Sequence, residues 1–376
     1  MGIHNLNKFL RKNCPQVYEE IHISEYAFKK VAIDTSLFLC KFKAICGDRW
    51  LSAFVNLVAS LRRNEIHCVF IYDTGAPPEK TIERARRVDQ REKTDKRVYE
   101  LETALEEYYK SGVVDDILLD LFAKIKDKSP EQKKQKRLLS APKENKLGFD
   151  VNLVKQKIEK MRSNVLEISR EDFELTKKLF EILNIPYYGA PLEAETTCAD
   201  LCKRGLVDAV MTEDTDVLAY GAPVFLTKTD SSKDTCIRLK HKDILDSLEL
   251  TAYEFTDLCI MLGCDYNNNI PKVGPENSYK HILKYRSIDE IERNTKLDVS
   301  ILNYKRTREL FNEYIIMEID NIPYCGVPDF EKLKEFISEH KIHLSVENLR
   351  KNFVHDIVFV CESESEEVEI EFEIEE

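Results

Sequence analysis

The sequence has no apolar run near the ~18–20 residues that span a bilayer, so no membrane partner is expected. Its opening residues, Met1-Gly2-Ile3-His4-Asn5-Leu6, lack the basic-then-apolar pattern of a secretory signal. Leu6 also stands where an acylated Gly2 would want Ser or Thr. The eleven cysteines are odd in number and scattered, which suits a reducing compartment better than a disulfide framework. Cys198 and Cys202 share a helix face, but no second pair completes a zinc set, so core packing is expected for both. There is no Walker-type phosphate loop, no G-x-S-x-G and no H-E-x-x-H. These absences leave a soluble, intracellular class of protein whose chemistry must come from other residues.

What the sequence does have is charge. Charged residues are 33% and hydrophobic ones 43% of 376, enough for a substantial core in one large domain or two apposed ones. The net charge of −12 argues against nucleic acid only as a sum. Nine carboxylates lie within Glu362–Glu376, which leaves −3 for everything before them. From Lys124 to Lys160 there are twelve Lys/Arg against five Asp/Glu. Local basic surface decides attraction to a phosphate backbone.

Four short apolar runs end in polar residues or helical patterns. Val31-Ala32-Ile33 ends at Asp34, and Cys68-Val69-Phe70-Ile71-Tyr72 ends at Asp73. Ala209-Val210-Met211 precedes Glu213-Asp214-Thr215-Asp216, and Val224-Phe225-Leu226 follows. Such runs alternating with helices predict an α/β fold, a mostly parallel central sheet flanked by helices. Ligands bind at the carboxyl ends of strands in these sheets. Three of the four runs deliver Asp there, and seven acids are read together: Asp34, Asp73, Glu193, Glu195, Asp214, Asp216 and Asp265. Asp214 and Asp216, two apart, are expected to project to one side on extended backbone. Glu193 and Glu195 follow Ala190-Pro191 and would diverge on a helix, so one is expected before regular helix begins. Clustered carboxylates repel, and their pKa values rise unless a cation neutralises them. Hard oxygen donors at this density suit two Mg²⁺ ions, with Mn²⁺ as a substitute, for phosphodiester hydrolysis. Taken singly, each acid is better explained as a turn or a helix cap; their coincidence is what points to a site.

Residues 80–180 are charged, helix-favouring and poor in glycine. Lys80, Arg84, Arg87 and Arg91 fall at steps of four, three and four, a basic stripe along roughly 16 Å of one helix face. The stretch from Lys128-Ser129-Pro130 to Pro142-Lys143-Glu144 reads as a loop or mobile segment. Ile185-Pro186-Tyr187-Tyr188 returns the chain to the sheet. After Lys240 an all-helical region is expected, with one helix over Tyr253–Leu262, a loop over Gly263–Val273 and another helix opening near Pro275. The tail alternates Val368, Ile370, Phe372 and Ile374 with glutamates, a pattern suited to a strand on a protein partner's sheet edge, although its charge favours disorder.

These blocks together resemble the flap endonuclease superfamily. Met1-Gly2-Ile3 with Val31 to Ser36 resembles its N-terminal block, and Phe70-Ile71-Tyr72-Asp73 with Pro77-Pro78 its second. Ile185 to Glu195 and Thr212 to Leu218 resemble the internal block. Leu258 to Tyr266 with Val273-Gly274-Pro275 is similar to its helix–two-turn–helix, and fainter similarity continues from Pro328 to Phe353. The resemblance implies a Mg²⁺-dependent structure-specific 5′ nuclease acting on branched or nicked DNA. It implies a first metal on Asp34, Asp73, Glu193 and Glu195, and a second on Asp214, Asp216 and Asp265. It places Lys80 and Arg87 on a helical arch as catalytic contacts to the scissile phosphate. Gly2, Arg84, Arg91, Lys272 and Gly274 are the expected DNA contacts. The organisation that follows is a nuclease block over 1–99, an arch insertion over 100–146, an internal nuclease block over 147–240, a helix–two-turn–helix and helical region over 241–353, and an acidic tail over 354–376.

The sequence departs from that family at several points. Cys40 replaces a base-stacking tyrosine, with Phe38 or Phe42 as candidate substitutes. Asp73 and Glu193 are 120 residues apart, longer than in typical relatives. Lys272, Glu276, Asn277 and Asn269 alter the helix–two-turn–helix, and no sliding-clamp peptide is recognisable. Lys133-Lys134-Gln135-Lys136-Arg137 reads equally as a nuclear signal or a solvated face; the nucleus is the expected location, or a cytoplasmic replication site if the gene is viral. A metal-dependent ribonuclease on a similar fold and a catalytically silent junction binder are the competing functions.

Overall fold

The continuous apolar runs form the middle of a seven-stranded sheet. The computed structural model describes residues 2–127, 149–163, 165 and 168–353. The Lys133–Arg137 run and the acidic tail therefore lie outside the described residues. The strands are β1 (Glu19–His22), β2 (Lys30–Asp34), β3 (His67–Tyr72), β4 (Tyr187–Gly189), β5 (Ala209–Met211), β6 (Val224–Asp230) and β7 (Thr235–Lys240). Their order is β1-β7-β6-β5-β2-β3-β4. Every pairing from β6 across to β4 is parallel, and β7 runs antiparallel to both its neighbours. The sheet is mixed, with the parallel part at its centre.

Alternation along the strands divides the core in two. Val31, Ile33, Cys68, Phe70, Tyr72, Ala209 and Met211 face one layer, packed on the helices Thr35–Cys46, Trp50–Arg63 and Arg170–Ile182. Ala32, Val69, Ile71 and Val210 face the other, packed on Ala194–Lys203 and Ala252–Leu262. Burial on both faces explains why these strands read as unbroken apolar runs. Helix ends follow local signals. Ser169 with Asp172 and Thr251 with Glu254 form capping boxes, and Gly263 at φ +88° ends Ala252–Leu262.

A third core stands apart from the sheet. The helix Thr81–Ser111 has 31 residues, and its buried positions are Val98, Leu101, Ala104 and Leu105. They pack with Leu118, Leu121 and Phe122 from Asp116–Asp127 and with Val154 and Ile158 from Val151–Arg162. Among the described residues, the inserted region contributes Leu101, Ala104, Leu105, Leu118, Leu121 and Phe122 to this small helical core, its apolar residues recurring at helical spacing. The long helix crosses the expected boundary at 99/100 without a break. Among the described residues, no helix is long and apolar enough to cross a membrane.

Candidate metal and phosphate site

Adjacent strands bring the first two acids together. β2 and β3 pair in parallel with Asp34 opposite Ile71, so Asp34 and Asp73 both emerge at the carboxyl edge. Asp34 caps the helix Thr35–Cys46, accepting a 3.1 Å hydrogen bond from the Leu37 N–H. Asp73 accepts a 2.7 Å bond from the Ala194 N–H, which fixes the next acidic segment beside it. Glu193 is the N-cap residue of Ala194–Lys203 and Glu195 lies in its first turn, so one of the pair precedes regular helix, as expected. Asp214 and Asp216 are not on extended backbone. The Asp216 N–H donates 3.1 Å to Asp214 Oδ1, the Asp214 N–H donates 3.2 Å to Thr212 Oγ1, and Asp216 opens a short helix. This turn, rather than a pleat, groups them.

The cluster is closed by cations from the long helix and the turn before it. Lys80 Nζ pairs with Glu193, lies 3.2 Å from Glu195 Oε1 and 3.1 Å from Asp265 Oδ2. Arg87 donates from Nη2 to Asp265 Oδ1 at 2.7 Å and from Nε to Glu83 Oε1 at 2.9 Å. Six of the seven acids are buried, Asp73 being exposed. The basic stripe is thus divided: Lys80 and Arg87 turn inward, while Arg84 and Arg91 are exposed.

Electrostatics follow from that burial. Asp34 is pushed up to about 8 by desolvation first and by Asp73 next. Burial also raises Glu195, Asp214 and Asp216, with neighbouring carboxylates adding to it in each. For Lys80, burial works against the charge, but Glu195, Glu193 and Asp265 outweigh it and raise the ammonium pKa.

The carboxylates suit a hard divalent cation in donor type and in unmet need. Asp216 is 0% exposed, and neither of its carboxylate oxygens has a hydrogen-bond partner among the described residues. A buried carboxylate in that condition calls for a cation. Gly2 lies against it at φ +84°; a Cβ there would sit 2.1 Å from Asp214 Oδ1 and 2.8 Å from Asp216 Oδ1. Among the described residues, no three acid, His or Cys side chains are already arranged to hold a metal, and Lys80 stands between them instead. The fit therefore rests on donor chemistry and burial, with side chains still to rearrange.

The remaining expected contacts lie at the surface. Lys272 adopts φ 65°, and Gly274 caps Pro275–Tyr285; both are exposed. Glu276 is engaged by Lys12 at 2.6 Å. Phe38 is buried against Phe42, and Phe42 is half-buried with its ring edge-on to Phe54, so the Phe38 ring is not free to stack; Cys40 is exposed. Cys198 and Cys202 are core residues, as expected. Sequence reasoning missed Glu83, which orients Arg87, and Tyr266, whose hydroxyl donates 2.7 Å to Glu193 Oε2. Tyr266 directly follows Asp265 in the quoted block, the one signal that was available.

Comparison with known proteins places the same blocks. Residues 1–94 match the XPG N-terminal domain and residues 184–265 the XPG I-region. A probable RAD2-like endonuclease of Invertebrate iridescent virus 3 is 34% identical, over 90% of this chain and 94% of its own length. One from Invertebrate iridescent virus 6 is 32% identical, over 98% and 95%. Flap endonuclease 1 of Drosophila grimshawi is 31% identical, over 90% and 80%. Among solved structures, the catalytic core of Rad2 with DNA substrate superposes at a TM-score of 0.62 with 17% identity, covering 94% of this chain and 99% of that one. Flap endonuclease-1 from Methanococcus jannaschii superposes at 0.56 with 19% identity, covering 89% and 94%. Both show a shared fold.

Proposed function

Because this chain belongs to the flap endonuclease/XPG superfamily of structure-specific nucleases, we propose that it hydrolyses phosphodiester bonds of 5′-flap or related branched and nicked DNA with two divalent ions. One observation carries the reading. Seven carboxylates from separate segments gather at the carboxyl edge of the sheet, with Lys80 and Arg87 reaching into them from the base of a long helix.

Asp34, Asp73, Glu193 and Glu195 would hold one ion and Asp214, Asp216 and Asp265 the other; Mg²⁺ there, or Mn²⁺, supplies Lewis acidity and an activated water. The rest falls to the chain's own groups. Lys80 and Arg87 bring two fixed positive charges to the place where a phosphodiester must lie against the carboxylates. In a site this buried, they stabilise the charge that develops on the leaving oxygen. Glu83 holds the Arg87 Nε at 2.9 Å and so aims the guanidinium plane. Gly2 permits close approach beside Asp214 and Asp216, where any side chain would collide. Exposed Arg84 and Arg91 continue the stripe outward and act on the DNA backbone through counterion release. Lys272 and Gly274 are the corresponding contacts on the helix–two-turn–helix loop. Replication, repair or recombination is the setting, and the iridescent virus relatives favour a viral replication site over the nucleus.

The test is a cleavage assay on labelled 5′-flap DNA, nicked duplex and single-stranded RNA, each with and without Mg²⁺. The reading requires Mg²⁺-dependent cutting of flap DNA. Preferential cutting of RNA would establish the ribonuclease alternative. Tight flap binding with no cutting under any metal would make the protein a silent junction binder.

A further inference from the structure

Glu193 is held at both oxygens. Oε1 faces the Lys80 ammonium, and Oε2 accepts a 2.7 Å hydrogen bond from the Tyr266 hydroxyl. Behind Tyr266 lies Tyr220, whose hydroxyl is 2.5 Å from that of Tyr266. Since the Tyr266 proton points to the carboxylate, Tyr220 must be the donor of this second bond. Both rings are buried, and Phe311 meets each edge-on, at 5.0 Å from Tyr220 and 5.5 Å from Tyr266. The loop that carries Tyr266 is tied down as well. Cys264 and Asn267 form a bridge, the Asn267 amide donates 2.8 Å to Ile260 O, and the His4 N–H donates 2.8 Å to Gly263 O.

We propose that Tyr266 is a positioning residue for metal loading: its hydroxyl commits one oxygen of Glu193 and presents the other to the cation, with Tyr220 as the lock behind it. This rests on the reading of Glu193 as a metal ligand. The argument is one of degrees of freedom. A glutamate has three side-chain torsions, and as an N-cap residue its backbone is fixed while its carboxylate is not. In a cluster of like charges, an unclamped carboxylate swings away from its neighbours. A hydroxyl donor opposes that swing and orients the lone pairs. Phenylalanine would fill the same space, so packing alone does not account for two stacked hydroxyls ending on a carboxylate. Asp265 and Tyr266 are consecutive, so one short segment delivers a carboxylate and also clamps another.

The experiment compares wild type, Tyr266→Phe and Tyr220→Phe as full-length chains. Mn²⁺ affinity is measured by calorimetry without DNA, half-saturating Mg²⁺ by single-turnover flap cleavage, and stability by urea unfolding. Tyr266→Phe should weaken Mn²⁺ binding roughly 10–100-fold and raise half-saturating Mg²⁺ in proportion. The rate at saturating Mg²⁺ should stay within a few-fold of wild type, and Tyr220→Phe should shift both metal values in the same direction by less. Wild-type metal affinity in Tyr266→Phe, with or without a loss of stability, overturns the proposal. Should Tyr266→Phe not fold, Tyr220→Phe must still raise half-saturating Mg²⁺ for it to stand. Failure of the wild type itself to take up Mn²⁺ would overturn the metal reading of the whole site, a result distinct from equal uptake by wild type and mutant.

Discussion

Replacing Lys80 with methionine removes one buried positive charge from among three buried carboxylates while keeping the length of the side chain. Lys80, Glu193, Glu195 and Asp265 are 10%, 5%, 8% and 3% exposed at their side chains. Deleting one partner of a buried pair typically costs about 3–5 kcal/mol, because the other charge is left stranded. The carboxylates have one escape, which is to bind a proton. At pH 7 that costs roughly 3–4 kcal/mol for a glutamate whose ordinary pKa is near 4.3, and at pH 5 only about 1 kcal/mol. In EDTA, the Lys80→Met protein should therefore be destabilised by about 3–4 kcal/mol at pH 7 and by about 1 kcal/mol at pH 5. Mg²⁺ should restore most of the pH 7 loss, and should stabilise the mutant more than the wild type, since the ion no longer competes with an ammonium. Urea unfolding can be followed by Trp50 fluorescence, since that single tryptophan is buried in the sheet core. A mutant as stable as wild type in EDTA at pH 7, or one whose loss ignores both pH and Mg²⁺, would show that Lys80 does not balance the carboxylates.

Asp34→Asn keeps a helix-capping side chain but cannot ionise. Wild-type Asp34 titrates near 8 when folded instead of 3.8, so its contribution is fully present below pH 4 and is lost as pH rises from about 4 to 8. Metal-free Asp34→Asn should accordingly lose less stability than wild type between pH 5 and 8 in EDTA melts, and should cleave no DNA; a steeper loss would contradict the shift. Arg87→Ala should lower single-turnover cleavage by orders of magnitude with modest loss of flap binding. Arg91→Ala should instead weaken binding and its salt dependence with little change in rate, and equal effects on binding alone from both would remove Arg87 from catalysis. Gly2→Ala combines a left-handed φ with a Cβ 2.1 Å from Asp214 Oδ1, so cleavage should fall at least about tenfold while the melting temperature moves by only a few degrees. Unchanged turnover would show that the Gly2 segment can withdraw from the site at no cost.

The sequence disclosed what depends on local pattern. β2, β3 and β5 were legible because both faces are buried, which leaves no polar alternation to confuse the reading. The positions of Asp34 and Asp73 followed from where those strands stop. β1 and β7 were not legible: β1 has one buried residue in four, and its partner carries Arg238 and Lys240, the polar habit of strands at a sheet's margin. The Asp214–Asp216 turn was misread because a side-chain bond to a backbone N–H overrides the two-residue period. The inward turn of Lys80 and Arg87 was half visible, in spacing but not in direction. Their targets Glu193 and Asp265 lie 113 and 178 residues away, and no periodicity carries that information.

The third core has no residue in common with the two beneath and above the sheet, and the stretch of Thr81–Ser111 that leads to it has no buried residue before Val98. Cooperativity is transmitted through shared packing, so these helices should open as a separate unit, with their own free energy. Amide hydrogen exchange should divide accordingly, with slow exchange over β2, β3 and β5 and a common, faster rate over 98–127 and 149–163. The layer above the long helix can then loosen while the sheet below it stays folded.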